Sequence, residues 1–354
     1  MNNDIHTWLN QFQHPLLTSQ WAATQGVVTV GHKEKTIDVE IPFLVESLTQ
    51  AVGHWISEND APQGWEEYTF YVSARVRPLQ SKIPSTLTSI KNIIAVTSAK
   101  GGVGKSTTTA NLALAIAAQG AKVGILDADV YGPSIPLMFG TKGQALEVVD
   151  NKWMKPLQAH GVFTQSIGYL ISSDDAAVWR GPMASKALMQ LLKETQWPEL
   201  DYLIIDMPPG TGDLQLTLSQ DIPLTSALVV TTPQDLALAD AVKGIAMFEK
   251  ADVGVLGIIE NMSYHICSHC GSHEDIFGSG GAVKLATEKG ISVLAQLPLH
   301  ANIRRDIDLG TPSVVNPESA AQAQGYFDLA EQVVSRLFWY GVPQAERISF
   351  VEVT

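Results

Sequence analysis

The sequence predicts an α/β fold, in which a small α+β unit precedes a doubly wound, mostly parallel sheet. Six short runs rich in Ile and Val recur after residue 90, and they do not alternate with polar residues. Such runs are typical of strands buried on both faces of a parallel sheet. Helical segments lie between them, as in repeated βαβ units. The runs are IIAV at 93, VGIL at 123, YLIID at 202, ALVVTT at 227, GVLGII at 254 and SVLAQLP at 292.

The first 80 residues predict a separate α+β unit. A short helical start is followed by strands at GVVTV and TIDVEIPF, a helix over 44–58, and a strand at YTFYVSARV. The segment RPLQSKIPSTLTS at 77–89 contains two prolines and several hydroxyl residues with little periodicity, which is typical of a linker. We therefore expect a small domain at 1–80, a linker at 81–90 and a large domain at 91–354.

Composition excludes several classes of protein. The chain has 354 residues, of which 45% are hydrophobic and 17% charged, which is typical of a folded globular protein and not of a disordered one. A net charge of −13 opposes nonspecific binding to nucleic acid or anionic lipid. No apolar run is long enough to span a membrane, and the first residues lack the order of a signal peptide. We expect a cytoplasmic protein with no nucleic-acid partner and no membrane partner.

A glycine-rich turn followed by Lys-Ser stands between the first apolar run and a helical segment, in NIIAVTSAKGGVGKSTTTANLALAIA. Glycines let backbone N–H groups point at phosphate oxygens, and the helix N-terminus and a lysine add positive charge. In this geometry Lys105 would hold the β and γ phosphates of a nucleotide, and Ser106 would bind Mg²⁺. The residues predicted to bind the nucleotide here are Gly101, Gly102, Val103, Gly104, Lys105, Ser106 and Thr107.

This loop departs from the usual phosphate-loop pattern, because Ala99 stands where the pattern requires glycine. The segment KGGVGKST carries a second lysine, Lys100, and resembles the deviant phosphate loop of the MinD and ParA superfamily of dimeric ATPases. The resemblance implies that the nucleotide is ATP. It also implies that Lys100 reaches across a dimer interface to the partner's nucleotide.

Two further strands end in aspartates, in VGILDADVYGPS and LDYLIIDMPPGTGD. Carboxylates at the carboxyl edge of a parallel sheet lie where such folds bind ligands. We expect Asp206 to contact Mg²⁺ through water, Asp127 to support the Mg²⁺ shell, and the GTGD segment to sense the γ phosphate. Asp129 matches the hydrolytic aspartate of the superfamily, which implies that it orients the attacking water.

Base recognition is predicted at Asn261, which follows the run GVLGIIE. An asparagine amide can pair bidentately with the edge of adenine. Spacing alone favours an ordinary loop asparagine. The superfamily resemblance implies a base-binding asparagine at this strand end.

The two cysteines of the chain, Cys267 and Cys270, lie three positions apart among histidines in SYHICSHCGSH. Thiolates bind soft metals, but a structural zinc or an iron-sulfur cubane needs four ligands. One chain could bind zinc with two of His265, His269 and His273. Alternatively, the pair could be a thioredoxin-like dithiol, or two chains related by a two-fold axis could each supply two thiolates. The dimer implied by the second lysine of the phosphate loop supplies such an axis.

Several segments in a fixed order together resemble the Mrp family of iron-sulfur cluster carriers, also described as the ApbC type. The resemblance implies a homodimeric P-loop ATPase that holds a labile 4Fe-4S cluster between Cys267 and Cys270 of each subunit. Apo iron-sulfur client proteins and a cluster assembly scaffold would be its partners. The N-terminal unit, which contains no cysteine, lies where family members carry a MIP18-like domain and is expected to dock partners. The segments are IKNIIAV, KGGVGKST, GAKVGILDADVYGPSIP, VWRGPM, LDYLIIDMPPGTGD, ENMSYHICSHCG and IFGSGG.

Two other classes of function remain as alternatives. A positioning ATPase of the MinD or ParA kind, with a structural zinc at the cysteines, would need a basic amphipathic helix or a basic face. The tail VPQAERISFVEVT has no apolar stripe, and the overall charge is negative. A cluster-dependent reductase such as the nitrogenase iron protein takes its two cluster cysteines from separate segments, whereas here both come from one loop. The sequence therefore favours a cluster carrier.

Overall fold

The structure, a computed structural model, describes residues 2–79, 81, 87–170, 181–267 and 269–341. Within these ranges the chain forms a three-stranded sheet, a nine-stranded sheet and a two-stranded hairpin. Part of the expected linker, the first half of VWRGPM with Arg180, and the tail from residue 342 lie outside the described residues.

The N-terminal unit folds as the predicted combination of helices and strands. Its elements are α1 (Asn2–Leu9), β1 (Val28–Gly31), β2 (Thr36–Ile41), α2 (Glu46–Glu58) and β3 (Thr69–Ala74). The strand β2 lies between the other two, pairing antiparallel with β1 and parallel with β3. In β2, Ile37, Val39 and Ile41 are fully buried while Asp38 is exposed, as expected of a strand with one face on a core.

The strands after this unit form the large sheet and the hairpin. In chain order they are β4 (Ile90–Thr97), β5 (Val123–Asp127), β6 (Val148–Val149), β7 (Trp153–Met154), β8 (Leu157–Ala159), β9 (Val162–Ser166), β10 (Leu200–Asp206), β11 (Ser226–Thr231), β12 (Val255–Ile266), β13 (His273–Glu274) and β14 (Val293–Pro298). The large sheet has the order β13-β12-β11-β4-β10-β5-β9-β8, with β14 also paired to β12. Its pairings are parallel except for β8 and β13, which lie antiparallel at the two edges. The predicted doubly wound, mostly parallel sheet is confirmed, and all six apolar runs lie in its strands.

The strand β9 was not predicted, because its sequence VFTQS is rich in polar residues. Thr164, Gln165 and Ser166 are nevertheless fully buried. Gln165 Nε2 donates to Thr195 Oγ1 at 2.8 Å, and Ser166 Oγ donates to Asp127 Oδ2 at 3.0 Å. Polar side chains with such hydrogen-bond partners can be buried at little cost in free energy. A strand made of them lacks the apolar pattern from which buried strands are predicted.

Helices cover the large sheet and join it to the N-terminal unit. They are α3 (Lys105–Ala118), α4 (Ile135–Met138), α5 (Gly181–Glu194), α6 (Asp213–Asp221), α7 (Asp235–Lys250), α8 (Gly281–Lys289), α9 (Ala301–Asp308) and α10 (Ala320–Tyr340). The N-terminal unit packs on α10, where Phe43 contacts Phe338 and Trp339. Trp339 Nε1 and Ser335 Oγ both donate to the carbonyl of Leu16. Among the described helices, none is long and apolar enough to cross a bilayer.

Candidate functional site

The glycine-rich loop joins the carboxyl end of β4 to the first turn of α3. Gly102 and Gly104 have φ values of +83° and +82°, a left-handed conformation that side chains with a Cβ rarely adopt. Gly101 and Gly102 have open space where a Cβ would lie. Lys100 is exposed at the start of the loop, while Ser98 Oγ donates to its carbonyl at 2.9 Å. The loop therefore presents its backbone at the positive end of a helix, and Lys100 lies at the surface.

A cluster of one cation, one carboxylate and two hydroxyls lies directly below this loop. Lys105 Nζ is 2.6 Å from Asp206 Oδ1, and both side chains are buried. Ser106 Oγ donates to Asp206 Oδ2 at 2.6 Å, and Thr109 Oγ1 donates to Asp206 Oδ1 at 2.8 Å. The parallel pairing of β10 with β4 brings Asp206, at the end of one strand, to the loop that follows the other. Asp206 therefore lies against Lys105 and Ser106, although it is 100 positions from Ser106 in the sequence, and the contacts of these residues with nucleotide and Mg²⁺ stay predictions.

The structure places Asp127 in a fully buried pocket beside this cluster. Its carboxylate accepts hydrogen bonds from the backbone N–H groups of Asp129, Ser134 and Ile135 and from the hydroxyl of Ser166. Burial and the nearby charge of Asp206 raise the pKa of Asp127 to about 7, while Lys105 and the Ile135 amide act in the opposite direction. Asp127 therefore fixes the loop between β5 and α4, and its support of the Mg²⁺ shell stays a prediction.

Asp129 lies on that loop and is half-buried. Burial raises the pKa of its carboxyl above the ordinary range, and the charge of Lys105 opposes the shift. The negative charge of Asp206 also raises the pKa of Asp129. The structure thus holds an accessible carboxylate near the lysine of the phosphate loop.

The segment after β10 is tied to the phosphate loop through its backbone. Met207 N donates to Val96 O at 3.0 Å, and Gly210 N donates to Ser98 O at 2.9 Å. Gly210 has a φ of +102°, which permits the turn. Gln215 Nε2 donates to the carbonyl of Pro209 and closes the segment from the α6 side. The predicted γ-phosphate sensor therefore lies beside the loop, and its sensing role stays a prediction.

Asn261 lies on β12 and is buried against the phosphate loop. Its Nδ2 donates to Val103 O at 2.9 Å. A Cβ at Gly104 would lie 2.1 Å from this Nδ2, so only glycine at that position permits the contact. The structure places Asn261 against the phosphate loop, and its recognition of adenine stays a prediction.

The cysteine loop begins where β12 ends, beyond the carboxyl edge of the sheet. Cys267 N donates to Ser272 O, and Gly271 N donates to Cys267 O, both at 2.9 Å, which closes a tight turn. Cys267 is half-buried and Cys270 is exposed, and both are free thiols. Hydrogen bonds with the hydroxyl and the amide of Ser272, and a further bond with Cys267, lower the pKa of the Cys270 thiol. The loop therefore presents thiols at the surface, one of them biased towards thiolate.

Two of the histidines near the thiols contact other groups of the described chain. His265 Nδ1 is 3.0 Å from Leu299 O, and His273 Nε2 is 3.1 Å from Asp275 Oδ1. His273 also stacks on Tyr264, with ring centroids 4.8 Å apart. Among the residues that the structure describes, no three His, Cys, Asp or Glu side chains are grouped so as to hold a metal ion.

Sequence reasoning missed three buried polar residues of this region. Thr109 donates to Asp206, and Ser166 donates to Asp127. Glu260, in the middle of β12, is fully buried and accepts hydrogen bonds from Ser263, Ala282 and Gln296. The sequence does carry a signal for Glu260, because, like the aspartates, it directly follows an apolar run. Thr109 and Ser166 carry no such signal in the sequence.

A mostly parallel sheet with a glycine-rich loop, a buried lysine and strand-end carboxylates defines a P-loop NTPase. Solved structures agree with this class. A nucleotide-binding protein in complex with ADP from Archaeoglobus fulgidus is 42% identical, with a TM-score of 0.57 over 64% of this chain and 88% of its own. The cell division ATPase MinD of Pyrococcus furiosus is 23% identical, with a TM-score of 0.52 over 68% of this chain and 98% of its own, and shows the fold alone.

The chain belongs to the ParA family of NUBPL iron-transfer P-loop NTPases, whose sequence profile matches residues 89–334. It is 52% identical to the iron-sulfur cluster carrier protein of Escherichia coli K12, over 97% of this chain and 94% of that protein. It is 48% identical to the iron-sulfur cluster transfer protein NUBPL of Dictyostelium discoideum, over 70% of this chain and 77% of that protein. The resemblance to the cluster-carrier family noted from the sequence is thereby confirmed.

Proposed function

We propose that this protein is an ATP-hydrolysing homodimer that binds a 4Fe-4S cluster and transfers it to apo iron-sulfur proteins. The observation that carries the proposal is the cysteine loop, in which two adjacent free thiols lie at the surface beyond the same sheet edge as the phosphate loop. Two thiols supply half of the ligands that a cubane needs, and a second copy of the chain supplies the other half. The names of relatives about 50% identical support this cargo.

In the proposed nucleotide site, the backbone of residues 101–104 and the side chain of Lys105 bind the phosphates of ATP. Ser106 and Thr107 stand at the first turn of α3, where the helix dipole favours an anion. Lys105 exchanges its contact with Asp206 for contact with phosphate oxygens. Asn261, whose Nδ2 is engaged with Val103, contacts the base with its remaining amide oxygen.

The oxygen donors beside Lys105 fit Mg²⁺, which prefers hard ligands and retains several waters. Ser106 Oγ and Asp206 Oδ2 are 2.6 Å apart, so both can belong to one hydrated ion's shell. Asp127 fits less well, because its two oxygens already accept four hydrogen bonds. When bound, Mg²⁺ neutralises charge on the phosphates.

For hydrolysis, we assign Asp129 to orienting the attacking water and Lys100 to contacting the partner's nucleotide. Asp129 is half-buried near Lys105, and Lys100 is exposed, which is required of a side chain that crosses an interface. Exposed apolar residues next to the cysteine loop and in the first turns of α7 and α8 provide a surface for the second copy. They include Leu236, Ile266, Ile276 and Val283.

Anaerobic reconstitution with iron and sulfide tests the cargo. We expect about four iron atoms per two chains in the native sequence and none in the Cys267→Ser, Cys270→Ser double variant. A His265→Ala, His273→Ala double variant is the matched control and retains the iron. Stoichiometric zinc without iron, lost in the histidine variant, would instead support a structural zinc site and contradict the proposal.

A further inference from the structure

The strand β12 physically connects the phosphate loop to the cysteine loop. Its first half pairs with β11 inside the sheet. Asn261 then contacts the phosphate loop through Val103 O, and Cys267 begins the cysteine loop six positions later. At about 3.3 Å per residue in an extended strand, the two sites are at most about 20 Å apart along one element.

The backbone of β12 is strained at the residue after Asn261. Met262 has a φ of +54°, in the left-handed region that a long side chain rarely adopts. The pairing of β12 with β14 also shifts its register between Glu260 and Tyr264. A residue in this conformation is held there by its neighbours, so a change in those neighbours can release it.

A buried carboxylate holds the strained residue from both sides. Glu260 is fully buried and accepts a hydrogen bond from Ser263 Oγ, which reaches back across Met262. The same carboxylate accepts from Gln296 Nε2 at 2.7 Å, on β14, and from Ala282 N at 3.2 Å, on α8. The segment Glu260–Ser263 is therefore a clasp that joins three elements at the base of the cysteine loop.

Beyond this clasp, β12 is tied to the chain that follows β14. Leu299 N donates to Tyr264 O at 2.7 Å, and His265 Nδ1 is 3.0 Å from Leu299 O. These bonds make residues 264–266 a stiff extension that ends at Cys267. A backbone rotation at Met262 would therefore be transmitted through residues 264–266 and would move the two thiols together.

We propose that the clasp Glu260–Ser263 transmits nucleotide occupancy from the phosphate loop to the cysteine loop. This inference rests on the proposed function, because it states how the nucleotide site regulates the cluster site. Phosphates that bind the loop act on Val103 and Gly104, and Asn261 contacts both, since its Nδ2 donates to Val103 O and lies close to the Gly104 backbone. The displacement passes to Met262, which changes between two backbone conformations, and the clasp passes it to the thiols.

The test measures the alkylation rate of Cys270 by iodoacetamide in cluster-free protein, with and without saturating Mg·ADP. In the native sequence we expect the nucleotide to change this rate by about fivefold or more. Ser263→Ala removes the hydroxyl of the clasp, so we expect it to keep its affinity for Mg·ADP within about twofold and to lose the change in rate. Met262→Gly removes the strain and is expected to behave in the same way, which covers the case that Ser263→Ala fails to fold.

Ser57→Ala, an exposed position in the N-terminal unit, is the matched control and retains the full nucleotide effect. The proposal is overturned if Ser263→Ala and Met262→Gly both keep the full effect. It is also overturned if the native protein binds Mg·ADP without any change at Cys270. The alkylation assay uses cluster-free protein, so its outcome does not depend on iron binding. Failure of the protein to bind iron would contradict the proposed function, whereas failure of the nucleotide to change the alkylation rate would contradict only the role of the clasp.

Discussion

The buried charged side chains of the candidate site are satisfied by one another and by hydrogen bonds from hydroxyl and backbone N–H groups. The carboxylate of Asp206 is fully buried, and Lys105 and two hydroxyls are its partners. Removing one member of such a group leaves an uncompensated buried charge, which costs more than the pair contributes. The same groups lie where phosphate and a divalent cation would bind, so stability and nucleotide binding draw on the same side chains.

Lys105→Ala is expected to lower ATP turnover by at least about 100-fold, because the charge that stabilises the transferred phosphate is lost. Steady-state phosphate release measures the effect. Lys122→Ala, an exposed lysine at the opposite end of β5, is the control and keeps normal turnover. Undiminished turnover in Lys105→Ala would place the nucleotide elsewhere.

The raised pKa of Asp129 predicts the acid limb of the pH profile. A carboxyl must be ionised to accept a hydrogen bond from the attacking water, and burial favours its protonated form. As pH falls, turnover should therefore decline at a pH above about 3.9, the ordinary value for an aspartate. Asp129→Asn should lower turnover and remove this limb. A profile that is the same in native protein and in Asp129→Asn would contradict the assignment.

At the scale of elements, two features of the site arise from close approach between β12 and the phosphate loop. Gly104 is left-handed and leaves room for Asn261, whose amide reaches Val103. The sequence predicted a glycine-rich loop and an asparagine near a nucleotide, but it could not predict their mutual contact. That contact depends on the parallel order of β12, β11 and β4, which only the assembled sheet defines.

Comparing Gly104→Ala with Gly143→Ala distinguishes the cost of backbone strain from the cost of losing the close approach between Gly104 and Asn261. Both glycines have a φ of +82°, but a Cβ at Gly143 meets no atom within 4 Å. Gly143→Ala should lower the free energy of unfolding by about 1 to 2 kcal/mol through strain alone. Gly104→Ala should cost about 1 kcal/mol more, since it also displaces the Asn261 hydrogen bond, and it should weaken binding of Mg·ADP. Urea denaturation measures both, and equal losses would contradict the importance of the contact.

Other elements show where sequence patterns reach their limit. The six apolar runs predicted their strands because burial on both faces demands apolar residues throughout. The strand β9 has no apolar pattern in its sequence, because Gln165 and Ser166 are polar and their burial is stabilised by hydrogen bonds. The hairpin of β6 and β7 has only two residues in each strand, too few to show a period.

At the scale of the whole molecule, the N-terminal unit and the large sheet share a continuous apolar core. The sequence indicated the unit and its order of elements. The sequence did not predict that the unit would pack on α10. The residues of α10 that contact Phe43 are apolar, like those of any helix face that packs on a core. Phe43, Phe338 and Trp339 meet there only because residues about 300 positions apart fold onto each other.

Phe43→Ala is expected to lower the free energy of unfolding by about 3 to 5 kcal/mol, because it opens a cavity between the unit and α10. The exposed Tyr71 of β3 provides the control, and Tyr71→Ala should change stability by no more than about 0.5 kcal/mol. Thermal or urea unfolding followed by tryptophan fluorescence measures both variants. Similar losses for the two would show that the docking contact contributes little.

The proposed function requires that the cysteine pair is half of a site, which a second copy of the chain completes. Native mass spectrometry of the anaerobically reconstituted protein tests this requirement, since it reports chains and iron in one particle. We expect a dimer that carries one cluster of about four iron atoms for its two Cys-x-x-Cys loops. A monomer that carries a complete cluster, or one zinc ion per chain, would contradict it.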